Sequence, residues 1–176
     1  MLTGIGTVRK DNPRMDVRAV ATSRQPLRVV VDTRFEIDSN AQVLASGNAL
    51  LAVCVDLSLP AYRDKAQGLR DHGVDLLTLP REGPEDKLDL ASLLKELALR
   101  ECNEVHVEGG AKLTGAMMRL GLIDEWLLYT APIFLGDGYP IAAGVGPWSQ
   151  VDDAPRWRWK EQVMVGDALR SRLVKI

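Results

Sequence analysis

Apolar positions along this chain recur with two different periods. Leu27 to Val31 (LRVVV), Ala49 to Val55 (ALLAVCV), Val74 to Leu79 (VDLLTL), Val105 to Glu108 (VHVE) and Trp126 to Ala131 (WLLYTA) are short runs of β-branched or apolar residues. Polar residues or glycine bound each run, and the runs predict strands. Between them the period lengthens. Ala61 to His72 closed by Gly73, Leu90 to Arg100, and Ala111 to Leu120 closed by Gly121 predict helices. The clearest is Leu90 to Arg100: Asp89 stands where an N-cap belongs, and Leu90, Leu93, Leu94, Leu97 and Ala98 make a one-sided stripe at i, i+3, i+4, i+7 and i+8.

Strands alternating with helices imply βαβ units, hence an α/β fold with a mostly parallel central sheet and helices on both faces. The C-terminus departs from that scheme. Arg156 to Val165 and Ala168 to Lys175 flank Gly166-Asp167, a two-residue link of the tight-hairpin kind, which predicts an antiparallel pair finishing the sheet edge. Gly136 to Pro155 is rich in Gly and Pro and reads as a loop. Neither an internal repeat nor a linker composition appears, so residues 1–176 read as a single domain.

Composition changes this picture little: 46% hydrophobic and 26% charged residues are ordinary globular values. A formal net charge of −2 gives no basic footprint for nucleic acid or for an anionic membrane surface. Cys54 and Cys102 lack the spacing of a zinc site or a disulfide framework and read as buried thiols, and no metal is expected. The opening MLTGIGTVRKDNP has no charged lead followed by an apolar stretch, and no run reaches the roughly eighteen apolar residues that span a bilayer. A cytoplasmic location is the expectation.

Candidate chemistry gathers in three places. In VHVEGGAKL, an apolar alternating run ends at Glu108, and a helical run starts at Ala111 after Gly109 and Gly110. A parallel strand, a glycine pair and a helix start would bring unpaired main-chain NH groups to the crevice beyond the strand ends, as an anion cradle. A plain tight turn explains the same glycines, and a helix-cap acid explains Glu108. The second cluster, Gly4 to Arg18 (GIGTVRKDNPRMDVR), reads as a loop dense in hydrogen-bonding groups, though turn chemistry alone accounts for Asp11-Asn12-Pro13. The third, Thr33-Arg34 after Val31-Asp32, sets a hydroxyl beside a fork-shaped cation. That pair suits a phosphate monoester such as the 2′-phosphate that separates NADPH from NADH; a solvated turn arginine is the alternative. His72 lies in the last turn of a helix and His106 inside a strand, and neither has a visible ligand partner.

In order and in kind, GIGTVRKDNPRMDVR, PLRVVVD and VHVEGGAKLTGAMMRLGLIDEWLLYTAPIFLG resemble the reductase domain of riboflavin biosynthesis proteins, the C-terminal half of the bifunctional pyrimidine deaminase and reductase. The resemblance implies a dihydrofolate-reductase-like α/β fold. It also implies NADPH-dependent reduction of 5-amino-6-(5-phosphoribosylamino)uracil to its ribitylamino product. Thr7, Asp11 and Thr33 match cofactor-contacting positions, and Gly110, Ala111, Lys112, Leu113, Thr114, Gly115 and Ala116 match the stretch that holds the dinucleotide, next to Gly109. Met15, Arg18 and Glu108 match positions lining the substrate.

The chemistry then asks for a carboxylate near a sugar imine, and Asp11 and Glu108 are available: Glu108 to orient substrate, Asp11 for the proton or for nicotinamide positioning. Arg18 is the natural counter-ion of the substrate phosphate. The resemblance further implies a homodimer, for which the apolar Trp126 to Leu135 region offers a surface, and a deaminase domain or chain as partner, since no HxE with PCxxC occurs here. Related domains start with a further strand and helix ahead of the residues matching Leu2-Thr3-Gly4, which this sequence lacks. A catalytically silent dinucleotide-binding or dimerisation module, or a reductase of another pteridine or pyrimidine, are the competing readings.

Overall fold

Three valines in succession, Val29 to Val31, build the middle of a parallel sheet that a computed structural model describes together with residues 1–45, 48–83 and 87–176 of the chain. Strands β1 (Leu2–Gly4), β2 (Arg28–Val31), β3 (Ala49–Val53) and β4 (Val74–Thr78) lie in that order, all parallel. Two compact units divide the chain, Met1–Gly110 and Ala111–Ile176.

In the first unit, Val30, Leu51 and Val53 pack into one cluster with Val8 of helix α1 (Ile5–Asp11) and with Ala66 and Leu69 of α2 (Pro60–Asp71). Val29, Leu50 and Ala52 alternate with them in sequence and are equally buried, as a parallel sheet with both faces covered requires. Helix α3 (Leu90–Leu99) buries Leu90, Leu93 and Leu97 outside that cluster, on the stripe its period specified. The Asp89 carboxylate caps α3, accepting the Ser92 N–H at 2.9 Å and the Ser92 hydroxyl at 2.5 Å. A short antiparallel pair, β5 (Arg81–Glu82) with β6 (Lys87–Leu88), precedes it.

The second unit holds α4 (Ala111–Arg119) and an antiparallel sheet of β7 (Glu125–Thr130), β8 (Trp157–Val165) and β9 (Ala168–Lys175), in the order β7-β9-β8. The β8–β9 hairpin turns at Gly166, whose φ of 64° is left-handed, and its register shifts between Trp159 and Glu161. Trp126 and Trp157 meet edge to face, ring centroids 6.0 Å apart. Residues 136–155 are largely irregular, with one 3₁₀ turn at Val151–Asp153.

Four expectations change. The hairpin does not finish the parallel sheet: with β7 it forms a sheet of its own, because alternation marks a strand but not its partner. Val105 to Glu108 is an extended segment joined to β1 through a single parallel bridge, Leu2 to Val107, rather than a full strand. Only the second part of Gly4 to Arg18 is the expected loop: β1 and α1 occupy Leu2–Asp11, Asn12 closes the helix at φ 42° by donating its N–H to the Val8 carbonyl, and residues 12–18 are irregular. Cys54 and Cys102, expected to be buried, are partly exposed.

Candidate functional site

Parallel strands leave their sheet on the same side, so the segments after β1, β2 and residues 106–108 emerge together. Main-chain bonds fix the register at the edge. The Leu2 N–H donates to the His106 carbonyl (2.8 Å), the Glu108 N–H to Leu2 (2.9 Å), and the Thr3 hydroxyl to the Glu108 carbonyl (2.7 Å). Gly4 pairs with Val31 across β1 and β2. The three sequence clusters, Glu108-Gly109-Gly110, Gly4 to Arg18 and Thr33-Arg34, are thereby brought to one rim of the first unit. Thr7 stands beside Gly110: a Cβ on that glycine would sit 3.6 Å from the Thr7 hydroxyl oxygen and would meet no other heavy atom within 4 Å.

Met15, Arg18 and Glu108 line a single cleft of ≈ 360 Å³ with Arg14 and Asp16. Met15 is buried with a left-handed φ of 53°, which turns the chain after Asn12-Pro13 so that Asp16 and Arg18 face the same opening. Asp16 pairs with Arg14 at 2.7 Å and with Arg18 at 3.0 Å. Burial alone would raise its carboxyl, but the hydrogen bonds from Arg18 and Arg14 hold it below the usual carboxylate range. Two guanidinium groups thus share one carboxylate, and Glu108 in the same lining offsets the remaining side-chain charge. Glu108 is half exposed and its Oε1 lies 3.5 Å from His106 Nε2, so His106 does have a partner, two residues away on the same side of an extended segment.

Asp11 ends α1 with its side chain exposed, and Thr33 and Arg34 follow β2. The loop beyond β2 is held by Asp32, which is fully buried and accepts the N–H groups of Glu36 (2.9 Å) and Ile37 (2.8 Å). Desolvation raises its carboxyl above the usual range, against those two bonds and the field of Lys65. Lys65 donates to the Phe35 carbonyl (2.9 Å) and lies 4.5 Å from the centroid of the Phe35 ring, while Phe35 itself has φ 60°. Arg9 of α1 and Arg34 of this loop both reach Glu36, at 3.3 and 4.0 Å.

The second unit opens with the other part of the EGG stretch, helix α4. Lys112 is exposed, while Ala111, Leu113, Thr114 and Ala116 are partly buried. Gly115 is buried, and its Cα is covered by the main chain of Ala143, whose N–H donates to the Ala111 carbonyl at 2.8 Å. What Gly115 admits closely is therefore the chain's own backbone, and any ligand contact it makes must come through its peptide group. Among the described residues no group of three or more His, Cys, Asp or Glu is placed to hold a metal ion.

Sequence reasoning missed Asp16, Asp32, Glu36 and Arg9 as parts of this arrangement. For Asp32 a signal existed: a carboxylate directly after three valines, at the end of a buried strand, needs partners.

Comparison with known proteins identifies the family. The family model described as "RibD C-terminal domain" matches residues 1–168. A riboflavin biosynthesis protein RibD from Chlamydia muridarum is 36% identical over 97% of this chain and 45% of its own length. The 2,5-diamino-6-ribosylamino-4(3H)-pyrimidinone 5′-phosphate reductase of Archaeoglobus fulgidus is 31% identical over 77% of this chain and 63% of its own. Among solved structures, Acinetobacter baumannii RibD superposes with a TM-score of 0.81 at 25% identity, over 99% of this chain and 46% of that one. The chain thus spans about half the length of these RibD relatives, and with its parallel sheet and antiparallel C-terminal strands it belongs to the RibD C-terminal domain family.

Proposed function

We propose that this chain is a riboflavin biosynthesis reductase that uses NADPH to reduce 5-amino-6-(5-phosphoribosylamino)uracil to 5-amino-6-(5-phosphoribitylamino)uracil. The observation that carries the reading is the single cleft that Met15 and Arg18 line together with Glu108, which is far from them in sequence and which the resemblance assigned to the same substrate. Family membership supports the reaction class, and the Archaeoglobus relative's name supports a phosphoribosylated pyrimidine as substrate.

The residues at the rim fit a dinucleotide. Gly110 leaves its main chain open to close approach, the Thr7 hydroxyl stands next to it, and Arg34 beside Thr33 offers a fork for a phosphate monoester. In this reading Thr7, Asp11, Thr33 and Arg34 contact NADPH, and main-chain amides at Gly109 and Gly110 approach its diphosphate. Bound NADPH supplies the hydride. The protein's own part is positioning and proton handling. Arg18 neutralises the substrate phosphate; release from Asp16 is made easy because Arg14 stays to pair that carboxylate. Glu108 orients the ribosylamine and stabilises positive charge as the ring opens to the imine. Asp11, at the exposed end of α1, delivers the proton or positions the nicotinamide.

A homodimer, a cytoplasmic location, and a deaminase domain or chain working beside residues 1–176 complete the proposal. The homodimer draws support from the exposed apolar side chains Leu127, Tyr129, Ile133, Phe134 and Leu135. No helix among the described residues is long and apolar enough to cross a membrane.

The test is turnover of purified chain with NADPH and the deaminated ribotide, with the 2,5-diamino-6-ribosylamino-pyrimidinone 5′-phosphate of the archaeal relative's name as second substrate. Reduction of the first supports the proposal, reduction of the second alone moves the substrate one step, and reduction of neither while NADPH binds would leave a silent binding module.

A further inference from the structure

Resting on the NADPH reading and going beyond it, we propose that Arg9, Arg34 and Glu36 form one selector for the phosphate monoester on the adenosine ribose, with Arg9 as its second fork. Arg9 lies on α1 and Arg34 in the loop after β2, 25 positions further along the sequence, yet their Nη1 atoms reach opposite oxygens of the same carboxylate, at 3.3 Å to Oε2 and 4.0 Å to Oε1 of Glu36. Two cations on one anion leave a net charge of about +1. Both guanidinium groups are mostly exposed, 66% and 71%, so a ligand reaches them without stripping them of a buried shell. The backbone that carries Glu36 is anchored, its N–H held by the fully buried Asp32 and the neighbouring Phe35 carbonyl by Lys65.

A guanidinium pairs best when two parallel N–H groups meet two oxygens of one anion. Glu36 satisfies neither arginine in that way: Arg9 makes one hydrogen bond to it and Arg34 only a 4.0 Å ion pair. A phosphate monoester carries more charge and three terminal oxygens, enough for both forks at once. A plain ribose hydroxyl offers the arginines no charge and leaves them on Glu36. The same device, two arginines on one aspartate, lines the cleft proposed for the substrate phosphate, in Arg14, Asp16 and Arg18. The opposite outcome is also chemically defined: a carboxylate at this place accepts a bond from a free 2′-hydroxyl and favours the unphosphorylated dinucleotide.

The experiment measures binding by calorimetry for wild type, Arg9→Ala, Arg34→Ala and Glu36→Gln, with NADPH, NADH, adenosine 2′-phosphate, adenosine and inorganic phosphate. Arg9→Ala is expected to weaken NADPH and adenosine 2′-phosphate about 10- to 100-fold, the worth of a charge-assisted contact, while changing NADH less than about twofold. Arg34→Ala should do the same, and Glu36→Gln should tighten NADPH severalfold by removing the competing anion. Equal losses for NADPH and NADH in Arg9→Ala, a wild type that prefers NADH, or inorganic phosphate bound as tightly as adenosine 2′-phosphate would overturn the selector. Discrimination without reduction of the pyrimidine would sink the proposed reaction and leave the selector standing; reduction that runs equally well with NADH in wild type and Arg9→Ala would do the reverse.

Discussion

At Gly115 a Cβ would overlap the carbonyl oxygen of Ala143, which is backbone and cannot swing aside. Gly115→Ala is therefore expected to destabilise the protein by about 1–3 kcal/mol, the usual cost of overpacking, read as a lower urea midpoint at unchanged m-value. At Arg18, replacement by Ala should raise the KM of the phosphoribosylated pyrimidine roughly 10- to 100-fold with kcat little altered, since a counter-ion to a remote phosphate contributes mainly uniform binding. An unchanged KM would remove Arg18 from the substrate. Glu108→Gln keeps the shape but not the charge; it should lower kcat/KM by about 10² or more if the carboxylate stabilises the imine. The roles proposed for Met15 and Arg18 come from the family's motifs, while Glu108 was also marked by its place before the glycine pair. The meeting of the three in one cleft could not be read from the sequence, because it depends on the left-handed turn at Met15, which no side chain there announces.

Helix α3 was the most legible element, since its cap and its apolar stripe agree. Asp89 accepts from Ser92, and these bonds hold its carboxyl below the usual range. A carboxyl whose folded value is depressed contributes stability that is present above its unfolded value, about 3.9, and is lost as pH falls through the folded one. Asp89→Ala should thus cost about 0.5–2 kcal/mol at pH 6, and the gap to wild type should close on acidification below about pH 4, as chemical unfolding at both pH values would show. Equal gaps would mean that the charge of Asp89 contributes nothing to the cap. Helix α1 was illegible for the opposite reason: only Val8 of its seven residues is buried, so no stripe exists, and Gly4, Gly6 and Asn12-Pro13 read as loop punctuation. Strand β7 was recognised by its composition, but its partner β9 lies some forty residues on, and local alternation carries no such information.

For the whole molecule, the α/β class and the antiparallel C-terminal hairpin could be read from periodicity, and the family from two motif blocks. The meeting of Arg9 and Arg34 at Glu36 could not, because it follows from where α1 and the loop after β2 leave a shared sheet. In the antiparallel sheet, Leu127 and Tyr129 of β7 and Val163 and Val165 of β8 are exposed, and the register sets Tyr129 and Val163 on either side of Arg170. If this surface serves the proposed homodimer, Leu127→Asp together with Tyr129→Glu should shift sedimentation from dimer to monomer. A wild type that sediments as a monomer at micromolar concentration would exclude it.

The reductase reading is tested most directly by following NADPH absorbance on mixing this chain with 5-amino-6-(5-phosphoribosylamino)uracil and identifying the pyrimidine afterwards. The account expects NADPH to be consumed one for one with formation of the ribitylamino product, and the rate to fall in Glu108→Gln. NADPH that stays unoxidised with saturating ribotide, at protein concentrations where the dinucleotide is demonstrably bound, would contradict it.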